Sequence, residues 1–222
     1  MRSQLSYYPV FLNVRGRRCV IFGGGDVALR KAQTLLECGA VVQVISPLLC
    51  DGMVRLARDG KIAALVRDYR PGDLVGAFLA IAATGDREAN RRVAAEADEH
   101  HIPVNVVDDP ALCSFIVPAI VRRGELTVAV STGGSSPALA RRIRAKLEQD
   151  FGHEYEDLAR VVGAVRRELR SRDIRCTADR WQNALDVEVL VAMIKQGRVD
   201  DAKGLILKRL NVTAEVGGTR AP

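Results

Sequence analysis

The sequence is poor in the features that mark nucleic-acid-binding and membrane proteins. Aromatic residues make up 5% of the 222 residues, with one tryptophan, so stacking platforms for single-stranded nucleic acid are not expected. No apolar run approaches the ~20 residues that a membrane helix needs. The stretch Met1 to Pro9 lacks the apolar core of a signal peptide. We therefore expect a cytoplasmic protein that binds neither membrane nor nucleic acid.

Cysteine usage argues against a disulfide framework and against a resident metal site. The five cysteines stand at positions 19, 38, 50, 113 and 176, an odd number, and no C-x-x-C motif occurs. Cys19 and Cys38 fall in apolar contexts that are typical of small core residues. This usage suits a reducing cytosol, and we expect no metal held by protein ligands.

Positive charge is in moderate excess and is spread along the chain. The net charge is +6 and the isoelectric point is near 9.3, which favours anionic ligands. A phosphate-bearing cofactor or a small polycarboxylate fits this charge. No recognition motif for nucleic acid accompanies it.

Alternating strands and helices in the first half predict a Rossmann-type, doubly wound parallel α/β sheet. The expected strands are Arg18–Phe22, Val41–Ile45, Ile62–Arg67, Leu79–Ala83 and Pro103–Val107, and the expected helices are Asp26–Glu37, Asp51–Asp59 and Arg87–His100.

The pattern changes after Asp109-Pro110. The runs Ser114–Val121 and Glu125–Val130 predict an antiparallel hairpin, and Ala138–Gln149 predicts a helix. Further helices are expected over Tyr155–Ser171, Val187–Gly197 and Asp200–Leu210. We therefore divide the chain into a dinucleotide-binding domain (1–113), a small β-containing region (114–150) and a helical domain (151–222).

The most informative motif is the glycine turn that follows the first strand. Gly23, Gly24 and Gly25 precede a helix that begins Asp26-Val27-Ala28. This G-x-G-x-x-A pattern is a permitted form of the dinucleotide-binding fingerprint. Its backbone N–H groups and the helix dipole would hold a pyrophosphate.

Three further strand ends are candidates for contact with a cofactor or substrate. The second strand ends in Ser46 rather than the acid that often bonds a ribose, and Ser46 is either a weak substitute or a plain loop residue. Small residues at Ala83 and Thr84 leave room for a flat ring or simply pack. Asn105 precedes Asp108 and Asp109, and either carboxylate could accept a proton or cap the turn before Pro110.

A second glycine-containing loop precedes the predicted helix Ala138–Gln149. Ser131, Thr132, Gly133 and Gly134 resemble an anion-holding nest, or form a flexible connection. The helix behind it carries Arg141, Arg142 and Arg144, which either form a solvated face or meet substrate carboxylates.

Six segments in order carry a resemblance to a known family. They are Tyr8 to Leu12, Gly23 to Ala32, Ala80 to Thr84, Asn105 to Asp108, Ser114 to Ile120 and Ser131 to Ala140. Together they resemble the precorrin-2 dehydrogenase/sirohydrochlorin ferrochelatase family, the first module of siroheme synthases. The resemblance is close over residues 7–150 and looser in the helical tail. These 222 residues lack the methyltransferase module of the fused enzymes, so we expect a stand-alone form.

The resemblance implies an activity, a cofactor and an assembly. The family oxidises precorrin-2 to sirohydrochlorin with NAD, and some members also insert iron(II) to give siroheme. Its fold implies a Rossmann-type domain, a small dimerisation region and a helical domain in an intertwined homodimer. A tetrapyrrole fringed with carboxylates agrees with the positive net charge.

The resemblance also assigns roles to residues. The essential aspartate that ends the Asn-Val-Val-Asp motif maps to Asp108, whereas Asp109 is an additional carboxylate. Asp26 and Val27 match contacts of the glycine turn with the cofactor, and Pro47 and Leu48 match contacts after the second strand. The missing acid after that strand is therefore normal for the family.

Two alternatives remain beside this hypothesis. One is a nucleotide-sensing Rossmann module without catalysis, for which no DNA-binding or channel-coupled segment is evident. The other is the same enzyme inserting cobalt on a cobalamin route.

Overall fold

The computed structural model describes residues 7–212. They form two compact units, the first ending at Val117 and the second beginning at Pro118. The expected division into three domains, with boundaries at 113 and 150, stays a prediction.

The first unit is built on a five-stranded parallel sheet. The strands are β1 (Arg18–Phe22), β2 (Val41–Ile45), β3 (Ala63–Leu65), β4 (Leu79–Ala82) and β5 (Val104–Val106), and the helices are α1 (Asp26–Glu37), α2 (Asp51–Arg58) and α3 (Arg87–Glu99). The strand order is β3-β2-β1-β4-β5, and every pair is parallel. The predicted Rossmann-type sheet is confirmed.

The chain reverses its direction of travel across the sheet between β1 and β4. Phe22, the last residue of β1, is in register with Ile45 of β2 and Ala82 of β4. Ala82 is in turn in register with Val106 of β5. The strands therefore end at one edge, and ligands of such sheets bind at the carboxyl ends where the strand order reverses.

Each face of the sheet has its own hydrophobic core because side chains alternate along a strand. Cys19 and Ile21 of β1 pack with buried residues of α1 and α2. Val20 and Phe22 face the other side and pack with buried residues of α3. Both faces of β1 are thus covered, which holds its carboxyl end rigidly below the glycine turn.

The predicted hairpin is present, but its first strand begins later than expected. β6 (Ala119–Arg123) pairs antiparallel with β7 (Leu126–Val130), whereas Ser114 belongs to the edge of β5. The Ser114 amide donates to the Val104 carbonyl (2.9 Å), and the Val104 amide donates to Ser114 Oγ (2.7 Å). These bonds tie the predicted strand start to the first unit.

The remainder of the second unit is helical, as expected. Its helices are α4 (Pro137–Asp150), α5 (Glu154–Ser171), α6 (Ala178–Ala184), α7 (Val187–Lys195) and α8 (Val199–Arg209). Val165, Leu190 and Ile206 are fully buried in their common core. The seven-residue α6 was missed by the sequence patterns, since it is too short to show a helical repeat.

A buried carboxylate fastens the connection between β3 and β4, which contains turns instead of a helix. Glu96 of α3 is 8% exposed. It accepts hydrogen bonds from the Tyr69 hydroxyl (2.5 Å) and from the amides of Gly72 (3.1 Å) and Leu74 (3.0 Å). Burial is the main cause that raises the pKa of the Tyr69 phenol, and the hydrogen bond to Glu96 raises it further. The hydrogen bonds to Glu96 thus hold this helix-free segment against α3.

Replacing this carboxylate should destabilise the first unit. We expect Glu96→Ala to lower the free energy of unfolding by about 3 kcal/mol, because the buried Leu74 amide, the part-buried Gly72 amide and a phenol lose a charged acceptor. Glu99→Ala removes an exposed carboxylate from the same helix and should change it by no more than about 0.5 kcal/mol. Urea denaturation measures both, and equal effects would contradict the role given to Glu96.

Candidate functional site

The first glycine of the turn lies against the end of β4. The Gly23 amide donates to the Ile45 carbonyl (3.0 Å), and Gly23 has a φ of +114°. A Cβ at this position would stand 2.3 Å from the Ala83 carbonyl oxygen. Only glycine permits this close approach of two backbones at the point where the strand order reverses.

The second glycine lies against the loop that follows β2. A Cβ on Gly24 would stand 2.0 Å from the Leu48 carbonyl oxygen, and the Cys50 amide donates to the Gly24 carbonyl (2.8 Å). The buried hydroxyl of Ser46 donates to that same Leu48 oxygen (2.7 Å). Ser46 therefore closes the loop, which favours its interpretation as a structural residue. Pro47 lies exposed beside the turn, as does Leu48, at 80%.

The third glycine faces open space. A Cβ on Gly25 would meet no atom within 4 Å. Gly25 is the N-cap of α1, and no side chain caps this end of the helix. The first amides of α1 therefore lack intrahelical acceptors, and Asp26 and Val27 beside them are exposed. The first amides of α1, at its positive end, and the open space beside Gly25 together form a cradle that fits a pyrophosphate.

The end of β4 forms the other side of this cradle. The Ala83 amide donates to the Phe22 carbonyl (2.7 Å), which continues the strand pairing beyond β4. The Thr84 hydroxyl donates to Asn90 Oδ1 (2.7 Å), and Asn90 Nδ2 donates to the Thr84 carbonyl (3.1 Å). Thr84 is therefore fixed in place at the strand end.

Asn90 was missed by the sequence analysis. It is 6% exposed on α3, on a helix face that also buries Ala89, Val93 and Ala97. Its place next to the apolar positions of α3 was the available signal, since a buried polar side chain requires a partner.

Asp108 occupies the turn after β5, at the same edge of the sheet. The Val107 amide still donates to the Ala82 carbonyl (2.9 Å). Asp108 then takes a left-handed backbone with a φ of +61°, and its side chain is exposed. Because β1 and β5 are two strand positions apart, the glycine turn and Asp108 are separated by about 10 Å across the edge. A base and a hydride acceptor could thus serve one flat substrate.

Asp109 differs from its neighbour. It precedes a short 3₁₀ turn at Pro110–Leu112, but its carboxylate makes no capping hydrogen bond to that turn. The capping role that the sequence allowed for one of the two aspartates is therefore not filled by Asp109.

Asn105 is buried in β5 and is used to hold the following segment. Its Nδ2 donates to the Phe115 carbonyl (3.1 Å) and lies 3.5 Å from Cys113 Sγ. Contact of Asn105 with a substrate stays a prediction.

Lys31 is a partly buried cation close to this strand end. Burial is the main cause that lowers the pKa of Lys31. The neighbouring Arg30 lowers this pKa further, whereas Cys113 raises it. Lys31 stands one helical turn beyond Ala28 on α1, and its sequence position predicts no role for it.

The second glycine-containing loop belongs to the second unit. Gly133 (φ +61°) and Gly134 (φ +88°) shape it. The Gly133 amide donates to Ser131 Oγ (3.0 Å), and the Ser136 amide donates to Thr132 Oγ1 (3.0 Å). The loop is thus ordered by its own hydroxyls and leads into α4, where Ser136 Oγ caps the helix.

The arginines of α4 differ in their partners. Arg141 and Arg142 are exposed, whereas Arg144 forms an ion pair with Glu148. The structure therefore leaves Arg141 available for an anionic ligand, while Arg144 is already neutralised within its helix.

Within residues 7–212, no group of three or more His, Cys, Asp or Glu side chains could hold a metal ion. None of the helices in this range is both long enough and apolar enough to cross a membrane.

Two family models match the chain. Residues 10–119 match a family described as putative NAD(P)-binding, and residues 123–150 match the central segment of sirohaem biosynthesis proteins. The first match includes the glycine turn and Asp108, and the second includes β7 and the whole of α4.

Curated relatives and a solved structure agree with these matches. The siroheme synthase of Azotobacter vinelandii is 40% identical over 208 residues, covering 93% of this chain and 45% of the relative. That of Pseudomonas putida W619 is 47% identical over 167 residues, covering 75% and 36%. The chain thus spans less than half the length of these relatives. The solved structure of SirC, a precorrin-2 dehydrogenase, shares the fold, with a TM-score of 0.70 at 23% identity over 92% of this chain and 99% of that one.

Gly24, which packs against backbone, and Gly25, which faces open space, should respond differently to substitution. Gly24→Ala should cost at least about 2 kcal/mol of unfolding free energy, since its Cβ collides with backbone. Gly25→Ala should fold with a stability within about 1 kcal/mol of the parent. It should nevertheless weaken binding of a nicotinamide dinucleotide about 10-fold or more, because the methyl group occupies the cradle.

Urea denaturation and fluorescence titration with NADH measure these two effects. Unchanged NADH affinity in Gly25→Ala would show that the cradle does not hold the pyrophosphate.

Proposed function

The chain belongs to the precorrin-2 dehydrogenase/sirohydrochlorin ferrochelatase family, and on that premise we propose that it oxidises precorrin-2 to sirohydrochlorin with NAD. One observation carries the proposal: a single sheet edge bears both an open glycine cradle and an exposed aspartate, Asp108. The dehydrogenation needs a hydride acceptor and a base, and this edge offers a place for each.

The residues of the cradle fit a dinucleotide. We assign the pyrophosphate to the amides at Gly25, Asp26 and Val27, and the adenosine half to exposed Pro47 and Leu48. The loop from Ser46 to Cys50 contains no arginine or lysine, and a cation there would be needed for the 2′-phosphate of NADP. This composition supports NAD as the cofactor. Ala83 and Thr84 then border the nicotinamide half.

The bound nicotinamide supplies an acceptor for the hydride that leaves the substrate. Asp108 takes the proton that leaves with it, which converts a reduced ring position to a conjugated one. Because this carboxylate is exposed, it can return the proton to water after each turnover. Asp109, held half-buried before the 3₁₀ turn, is less suited to exchange with solvent.

The carboxylates of the tetrapyrrole require cations and amides. We assign them to Arg141 and to the loop formed by Ser131, Thr132, Gly133 and Gly134, with Asn105 as a further contact. The exposed guanidinium of Arg141 supports this assignment because arginine binds carboxylates in a bidentate geometry. The net charge of +6 favours approach of a polycarboxylate.

Insertion of iron(II) is a second step that the same edge could perform. The pyrrole nitrogens lose two protons as the metal enters, and Asp108 is placed to accept them in turn. Iron is a substrate here, and the macrocycle supplies its nitrogen ligands. We extend the proposal to this step as sirohydrochlorin ferrochelatase activity.

We propose a homodimer that uses α4. Leu139 is 52% exposed and Ile143 is 37% exposed, four residues apart on one helix face. An open groove of about 440 Å³ runs beside them, lined by Arg142, Ile143, Lys146, Leu147 and Asp150. An apolar stripe flanked by charges is typical of a protein–protein interface.

We propose that the protein works in a reducing compartment, the cytoplasm, because its five cysteines are free thiols.

Removal of the Asp108 carboxylate tests the proposed chemistry. Asp108→Asn should reduce NADH formation from precorrin-2 at least about 100-fold, because the base is lost, with NAD affinity retained. Asparagine tolerates the left-handed backbone at this position. The same variant, given sirohydrochlorin and iron(II), tests the insertion step separately. Absorbance spectra of the tetrapyrrole and of NADH follow both reactions.

Asp109→Asn is the matched control and should keep most of its activity. Full turnover by Asp108→Asn would remove Asp108 from the proposed role. An unchanged tetrapyrrole spectrum with the parent protein would instead favour a sensor module.

The dimer is tested by placing a charge in the α4 stripe. The parent should sediment as a dimer and Ile143→Asp as a folded monomer, since a buried unpaired carboxylate opposes association. Val54→Asp introduces the same charge at a side chain that is 50% exposed on α2 and should remain dimeric. A monomeric parent in analytical ultracentrifugation would contradict the proposal.

A further inference from the structure

Backbone atoms on both sides of Asp108 converge on one thiol. The Val106 amide donates to Cys113 Sγ (3.1 Å), and this sulfur lies 3.2 Å from the Val106 carbonyl and 3.3 Å from the Asp109 carbonyl. A thiol has one proton, so it donates to one of these two carbonyls at a time. Cys113 thus connects the residue two before Asp108 with the residue immediately after it.

The turn that carries Asp108 needs such a connection. Asp108 has a φ of +61°, a left-handed conformation that residues with a Cβ adopt at a cost. The backbone bond that closes the turn, from the Asp109 amide to the Val106 carbonyl, is long at 3.4 Å. The contacts with Sγ therefore supplement a weak turn at the position where the proposed base is held.

Cys113 is itself anchored to the sheet. Its amide donates to the Pro110 carbonyl (3.3 Å), and the next amide, of Ser114, donates to the Val104 carbonyl (2.9 Å). Asn105 Nδ2 also approaches Sγ (3.5 Å). The sulfur is consequently fixed relative to β5, and it can transmit that rigidity to the turn.

We infer that Cys113 is a positioning residue, whose thiol holds the backbone around Asp108 so that the carboxylate stays at the sheet edge. The inference rests on the proposed role of Asp108 as the base.

The chemistry of the thiol agrees with this role. Burial raises the pKa of Cys113, with the Asp109 charge adding to the increase and the Val106 amide opposing it. The thiol therefore keeps its proton and can act as donor and acceptor together. A neutral thiol is also a poor nucleophile.

Two substitutions remove the hydrogen bonds in different ways. Cys113→Ala deletes the sulfur, whereas Cys113→Val fills its volume with apolar atoms and suits the extended backbone of residue 113. Both should lower kcat about 10- to 100-fold through displacement of the base, with the Kd for NAD unchanged. Cys113→Ser keeps a donor and an acceptor and should stay within about 10-fold of the parent rate.

Cys176→Ala is the matched control. Cys176 is also half-buried, but it packs against the helical core of the second unit, and its replacement should leave kcat unaltered. Amide hydrogen exchange gives a readout that does not depend on turnover. Exchange at Val106 should accelerate in Cys113→Ala and Cys113→Val, and it should recover in Cys113→Ser.

Combination with Asp108→Asn separates this inference from the proposed function. If Cys113 acts through Asp108, the double variant should be no slower than Asp108→Asn alone. Multiplied losses would show that Cys113 acts independently and would overturn the inference. A slow Asp108→Asn beside fully active Cys113→Ala and Cys113→Val would overturn the inference alone. A fully active Asp108→Asn would overturn the proposed base, and the inference with it.

Discussion

The site depends on the absence of side chains at two backbone crossings. Carbonyl oxygens of Ala83 and Leu48 lie where a Cβ on Gly23 or Gly24 would have to stand. These contacts draw the ends of β1, β2 and β4 together at the point where the strand order reverses. The open cradle at Gly25 and the fixed Thr84 lie directly beside this junction and take their positions from it.

The same constraint divides the work within the glycine turn. Gly23 and Gly24 serve packing between backbone segments. Glycine loses more conformational entropy on folding than other residues, and the close fit that these two permit offsets that cost. The third, Gly25, has open space where a Cβ would stand and leaves the positive end of α1 open. The turn therefore combines a structural half and a ligand-facing half, although the three residues are chemically identical.

Polar groups behind the edge give it rigidity. Asn90 fixes Thr84, Cys113 brackets Asp108, and Glu96 holds the segment between β3 and β4. All three lie in the interior or close to it, where a hydrogen bond must be satisfied and so fixes geometry. The exposed groups proposed to act on ligands, Asp108 and Leu48 among them, are held by partners that never need to meet a ligand.

Sequence patterns alone were enough to predict the sheet, the glycine turn and the strand ends that carry candidate residues, because strand and helix periodicity and glycine spacing are local properties. They left open whether Ser46 binds or closes a loop, and they placed the hairpin strand at Ser114 instead of Ala119. The Ser46 hydroxyl donates to the Leu48 carbonyl, which lies against Gly24 from another part of the chain, and Ser114 pairs with Val104 of β5. The folded chain settled both points, because a backbone crossing or a hydrogen bond exists only once both segments are in place.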